Sequence, residues 1–168
     1  MTMTAKLRSQ DLLQTIDNTQ LNILIETSRS ARRKRSHLLL HAGPNDPVQR
    51  LVIAAQPGTY IRPHQHTQQW EMLILLSGGL DIITFSEGGE VLSRRTLNTS
   101  DRIVQIPESE WHGCFVRESD TVVIEVKPGP YRPNEFADWA PDEEHPHAVE
   151  FLRMIGSASR GQNCIIGV

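Results

Sequence analysis

Between Gln49 and Lys127 the apolar residues fall into short runs, "RLVIAA", "WEMLILL", "LDIITF", "RIVQIP" and "TVVIEV", separated by "PGT", "SGG", "SEGG" and "NTSD". Runs this short, rich in Val, Ile and Leu and closed off by turn formers, suit strands better than helices. Joined by tight turns, they predict a mainly β protein built on an antiparallel barrel or jelly roll. Ahead of it, Asp17 with Gln20 forms a capping-box variant, and Leu21, Leu24 and Ile25 follow at helical spacing. A short helix is therefore predicted over about Asn18 to Ser30. Behind it, "KPGPYRP" is too proline-rich for a central strand. A second short helix is predicted there, with Pro146 in its first turn, Phe151, Leu152 and Ile155 on its apolar side and Gly156 as its stop. The expected plan is a helical segment and lead-in over 1–48, the barrel over 49–130, and an irregular or short helical extension packing on it over 131–168.

Composition narrows the class. With 168 residues, 38% hydrophobic and 22% charged, the chain is ordinary for one folded domain and unlike a disordered one. Its 17 basic and 20 acidic residues are too balanced to predict a nucleic-acid or membrane partner. The local run "RSARRKR", Arg29 to Arg35, reads as a solvated helix end, since it lacks interleaved aromatics. Cys114 and Cys164 match no zinc or redox spacing and read as free thiols in a reducing compartment. "MTMTAKLRSQDLLQ" holds no apolar signal run, and no stretch of 18 apolar residues occurs anywhere, so a cytoplasmic chain is expected.

The stretch "GTYIRPHQHTQQWEMLILLSGG" raises the chemical question, because imidazole, imidazole and carboxylate stand close together in a strand-like context. Residues two apart in a strand share a face, so His64 and His66 project together, about 7 Å apart at their Cα atoms. A turn over Thr67 to Trp70 returns the chain to Glu71, and Gly58 and Gly78 permit the bracketing turns. Farther on, "DRIVQIPESEWHGCF" offers His112 at the start of a strand. Three imidazoles and one carboxylate suit one divalent transition metal, iron, manganese, nickel or zinc. His37, His41, His145 and His147 show no comparable spacing. Strand alternation from His112 puts Cys114 on the inward face, as a small buried hydrophobe or a thiol near the metal.

These stretches resemble the paired motifs of the cupin superfamily. The first, glycine, five residues, His-x-His, four residues, Glu, six residues, glycine, is matched in full from Gly58 to Gly78. The second is matched at Pro107 and His112, while Asp101 and Ser109 stand in place of glycines and Val116 in place of an asparagine. More narrowly, "DPVQRLVIAAQPGTYIRPHQH" and "EVKPGPYRPNEFADWAP" resemble the WbuC family of cupin-fold metalloproteins, over about Ile16 to Pro141. In "RSHLLLH", His37 and Leu39 occupy places where that family carries asparagines, and His41 is kept. The resemblance implies a small cupin jelly-roll barrel with a divalent metal inside and an association with polysaccharide (O-antigen) gene clusters.

The expected function is a metal-dependent enzyme, such as a dioxygenase or isomerase, acting on a small polar or anionic, sugar-related molecule. A non-catalytic metal-dependent sensor or binding protein is the alternative. Tyr60 and Glu125 are the candidate catalytic groups, and Tyr60 and Arg62 share the parity of His64. Arg50, Arg62 and Lys127 flank the barrel segments and are expected to form a positive mouth for an anionic ligand. Exposed sheet edges predict a homodimer.

Overall fold

The computed structural model describes residues 13–166, so most of the stretch read for a signal segment lies outside the described residues. Ten strands form two five-stranded antiparallel sheets. In one sheet the order is β1 (Arg35–Leu39), β2 (Val48–Ala55), β9 (Thr121–Pro128), β4 (Glu71–Ser77) and β7 (Ile103–Ile106). In the other it is β10 (Glu135–Phe136), β3 (His64–Gln65), β8 (Trp111–Val116), β5 (Leu80–Phe85) and β6 (Val91–Leu97). Between them pack Leu73, Leu75, Leu80, Ile82, Ile106 and Val123, contributed by alternate positions of facing strands.

All five expected runs are strands, but the sheets begin at Arg35 and extend to Phe136. Five strands, β1, β3, β6, β8 and β10, lie outside the apolar runs, and of these β8 was expected from His112. β6 reads "VLSRRTL", with Arg94 and Arg95 in its middle, because it is an edge strand whose polar face is partly open. β3 and β10 are only two residues each, too short to show any alternation.

Helix α1 (Asn18–Ser30) forms where its cap places it. The backbone N–H of Gln20 donates to the Asp17 carboxylate at 2.8 Å, and the Asp17 N–H donates back to Gln20 Oε1 at 3.1 Å. Leu24 then packs on Leu38, Val52, Ala54 and Val122, covering the outer face of the first sheet. Helix α2 (Ala148–Ser157) buries Ala148, Phe151, Leu152 and Ile155. Two expectations about it are corrected. Pro146 precedes the cap residue, His147, and is not in the first turn. Gly156 lies within the helix and does not stop it. A Cβ there would stand 2.4 Å from the Phe115 ring, so the glycine serves close approach to β8.

The basic run is not simply solvated. Arg29 pairs with Asp120, Arg32 with Glu144, and both Arg33 and Arg35 with Glu143. The first ties α1 to the turn between β8 and β9, and the others tie the start of β1 to the segment ahead of α2. No described helix is long and apolar enough to cross a membrane.

Candidate metal centre

His64 and His112 are direct partners across β3 and β8, and His66 follows two residues after His64. Glu71 opens β4 in the facing sheet, so the group bridges the two sheets. The turns that allow this need left-handed backbone at Gly58 (φ +93°) and Gly78 (φ +76°). At Gly78 a Cβ would also meet the Thr121 Cα at 2.6 Å, which leaves room for glycine alone. Ser109 takes φ +60°, the conformation of the glycine it replaces, and its N–H donates to the His66 carbonyl at 2.8 Å. Asp101 is different: its φ is not positive, so the backbone there makes no demand for glycine.

One ligand atom from each of His64, His66, Glu71 and His112 lies within 4.8 Å of the others, and all four residues are buried. Such a group can hold a metal ion. Nδ1 of His64 lies 3.0 Å from the Arg62 carbonyl, and Nδ1 of His112 lies 2.8 Å from the Glu110 carbonyl. Each Nδ1–H donates to its carbonyl, which fixes the tautomer and leaves Nε2 as a free lone pair. His66 Nε2 stands 2.7 Å from Glu71 Oε2. His112 Nε2 and His66 Nδ1 are buried without any hydrogen-bond partner. Orphaned polar atoms of this kind are costly in a folded interior, and a cation accepted by lone pairs removes the cost.

The electrostatics are those of a prepared site. Burial, reinforced by His112, pushes the His64 imidazole down to about 3, and burial also lowers His112, so both rings are neutral donors at neutral pH. For Glu71 burial acts upward, but the hydrogen bond from His66 and the Lys127 ammonium act against it and hold the carboxyl down at about 2.

A cavity of about 210 Å³ runs between the sheets from this group. Glu125 and Lys127 line it, joined by an ion pair at 2.8 Å. Burial and the nearby Glu71 push Glu125 upward. Burial works to lower Lys127, but Glu125 and Glu71 prevail and raise it, so the ammonium stays charged.

Three expected site residues lie elsewhere. In β2 the cavity-facing positions are Leu51, Ile53 and Ala55, so Arg50 projects from the opposite face, where it pairs with Asp46 at 3.2 Å. Tyr60 and Arg62 share the parity of His64, but residues 57–63 form no strand, and Thr59 and Ile61 reach the cavity instead. The Tyr60 hydroxyl donates to the Pro141 carbonyl at 2.8 Å, and its ring meets Phe151 edge-on. Arg62 donates to the Ala137 carbonyl, pairs with Asp142 and lies over the Phe136 ring.

Sequence reasoning also missed Arg35 and His37, which line the cavity from β1. Alternation in "RSH" puts the two on one face, but only the pairing with β2 turns that face inward. Cys114 does face the cavity, and burial pushes its thiol up to about 12, so it stays protonated. His41 Nδ1 accepts from the Arg50 N–H at 2.9 Å, and His147 stands just ahead of α2 at 3.1 Å from Glu150, both away from the cavity.

A family model described as a domain of unknown function, DUF6016, matches residues 16–97. No curated protein matches the sequence. Among solved structures, an oxalate oxidase is similar at 17% identity and TM-score 0.51, over 77% of this chain and 76% of that one. A cupin 2 domain-containing protein from Halorhodospira halophila is similar at 13% identity and TM-score 0.50, over 73% and 77%. The capsular polysaccharide assembling protein CapF from Staphylococcus aureus matches at 20% identity and TM-score 0.51, over 60% of this chain but only 29% of CapF. At such identities the likeness is one of architecture, and two antiparallel sheets enclosing a buried His-His-Glu-His group give this chain the cupin jelly-roll fold.

Proposed function

We propose that the chain binds one divalent transition metal through His64, His66, Glu71 and His112 and uses it to bind and activate a small anionic molecule in the barrel. The observation that carries this reading is the convergence of four buried ligand atoms within 4.8 Å of one another, with His112 Nε2 left without any hydrogen-bond partner. The donor set is nitrogen and oxygen without thiolate, which suits iron(II), manganese, nickel or zinc. When bound, such an ion supplies Lewis acidity or a site for oxygen.

The chain's own residues do the rest. The carbonyls of Arg62 and Glu110 orient two imidazoles, Lys127 presents a positive charge to an incoming anion, and Glu125 is the carboxylate placed to take or give a proton at the bound molecule. Tyr60, engaged with Pro141, takes no such part.

The sugar-related part of the expectation rests on the WbuC resemblance and on CapF, named for capsular polysaccharide assembly. Elemental analysis of the purified protein, followed by α-keto acids, diketones and sugar phosphates offered to the metal-loaded form with oxygen uptake monitored, tests the reading. Turnover of any class supports an enzyme. Tight binding without turnover across the panel makes it a metal-dependent binding protein, and absence of metal defeats both. The free thiols of Cys114 and Cys164 support a reducing, cytoplasmic setting.

We propose further that the chain pairs with a second copy across an exposed sheet edge. Light scattering is expected to give twice 19.0 kDa, and a constant monomer mass at all concentrations excludes the dimer.

A further inference from the structure

Strand register divides the barrel interior into levels. Leu51 and Leu73 both stand opposite Glu125, next to the metal group. One level on, Ile53 and Leu75 face Val123, with Ile82 beside Cys114 across the second sheet. Beyond these come Ala55 opposite Thr121 and Leu80 opposite Val116. The interior therefore passes from charged to aliphatic within two residues of strand, roughly 7 Å.

The polar side chains at the far end are already committed. Arg35 donates to the Tyr60 carbonyl at 2.9 Å and to Glu143 at 2.6 Å. Thr59 donates to the Arg33 carbonyl, and Thr121 to that of Glu118. His37 stands level with Ile53, and burial holds its imidazole neutral. At the near end, Lys127 offers an ammonium with three N–H groups, and Glu125 occupies one of them.

Resting on the metal reading above, we propose that this cavity takes a small amphipathic acid, its oxygen-bearing head at the His/Glu group beside Lys127 and its aliphatic tail along Leu51, Ile53, Leu73, Ile82 and Val123. A polyhydroxylated sugar is disfavoured, because each hydroxyl buried without a partner weakens binding by about fivefold or more. The volume of about 210 Å³ sets the size of the ligand, below that of drug-sized molecules.

The test begins with metal content by elemental analysis. Metal-loaded protein is then titrated calorimetrically with the straight-chain 2-oxo acids from pyruvate to 2-oxohexanoate, with gluconate as the polyhydroxylated comparison. Affinity is expected to rise about fourfold per methylene until the belt is filled. Val123→Phe, which fills the belt, moves the optimum to shorter acids at unchanged metal content. Should that variant not fold, Leu51→Ala widens the belt and moves the optimum to longer ones. Lys127→Met combined with Glu125→Gln weakens every member by a common factor of about ten and leaves the chain-length slope intact.

Full metal content with a flat or falling series, or gluconate bound as tightly as 2-oxohexanoate, overturns the amphipathic ligand and spares the metal reading. Metal content far below one equivalent overturns the metal reading and this proposal with it.

Discussion

The two ends of the barrel interior are both spanned by β9, yet they treat polar groups in opposite ways. At the end formed by Arg35, Thr59 and Thr121, each polar side chain has its partner within the protein. At the other, nitrogens of His66 and His112 are buried with none. A buried polar residue is thus no sign of a site by itself. The sign is an unsatisfied buried polar atom among converging ligand atoms; Trp139 Nε1 is orphaned too, but packs beside α2 away from the His/Glu group.

If that contrast holds, metal content must respond to one end alone. His64→Ala, His66→Ala or His112→Ala is expected to weaken metal binding by more than about a hundredfold, beyond the loss caused by removing an outer partner of a ligand. Glu71→Gln keeps an amide oxygen and loses the charge, and a drop of about tenfold is expected. Elemental analysis after dialysis checks all four, and full occupancy in the histidine variants breaks the assignment.

The unsatisfied end also sets the acid sensitivity of the metal-free protein. His64 has its ordinary value of 6.5 when unfolded and about 3 when folded. Between those values the unfolded chain binds the proton and the folded chain does not, so stability falls as pH drops from about 6.5 toward 3 and is unaffected by this ring above it. His112 acts in the same direction. Denaturant midpoints of metal-free protein are expected to fall across this window by an amount worth a few kcal/mol, and His64→Phe should flatten the fall. A midpoint independent of pH from 7 to 4 contradicts the neutral, buried imidazoles.

Thr121→Val probes the satisfied end. The Thr121 hydroxyl accepts from the Gly79 N–H at 3.1 Å and donates to the Glu118 carbonyl at 2.7 Å, both deep in the fold. Its loss is expected to cost about 1–3 kcal/mol, with metal content unchanged. Any loss of metal in this variant would mean that the two ends are not independent.

The same contrast explains what the sequence disclosed. The helix α1 was legible to the residue because its cap is a local reciprocal bond between Asp17 and Gln20, whereas α2 has no side-chain cap at His147 and was misjudged at both ends. His64, His66 and Glu71 were legible as a group because one turn joins them, whereas His112, 41 residues beyond Glu71 and placed by its pairing with His64, was found through the second motif. Arg35 and His37 were not, since β1 reaches the interior only through its pairing with β2, a contact that local pattern does not encode. Tyr60 and Arg62 failed for a related reason. Alternation was extended backward from His64 into a segment that is not a strand, and there the partners are Pro141, Ala137 and Asp142, some 75 to 81 residues away.

The smallest expected effect is the one that separates chain position from facing. Arg50 and Lys127 both bracket the interior in sequence and occupy adjacent strands, where Gln49 pairs with Lys127 and Arg50 with Val126. That one-residue offset puts Lys127 on the cavity wall and Arg50 on the outer face, 44% exposed and paired with Asp46. An exposed pair of this kind contributes about 0–1 kcal/mol. Arg50→Ala is therefore expected to leave metal content and anion affinity within about twofold of the parent, at a stability cost of at most about 1 kcal/mol. Calorimetry on the same anion series reads the comparison directly, and a tenfold loss of anion affinity in Arg50→Ala would place the binding surface outside the barrel, on the far side of β2 from Lys127.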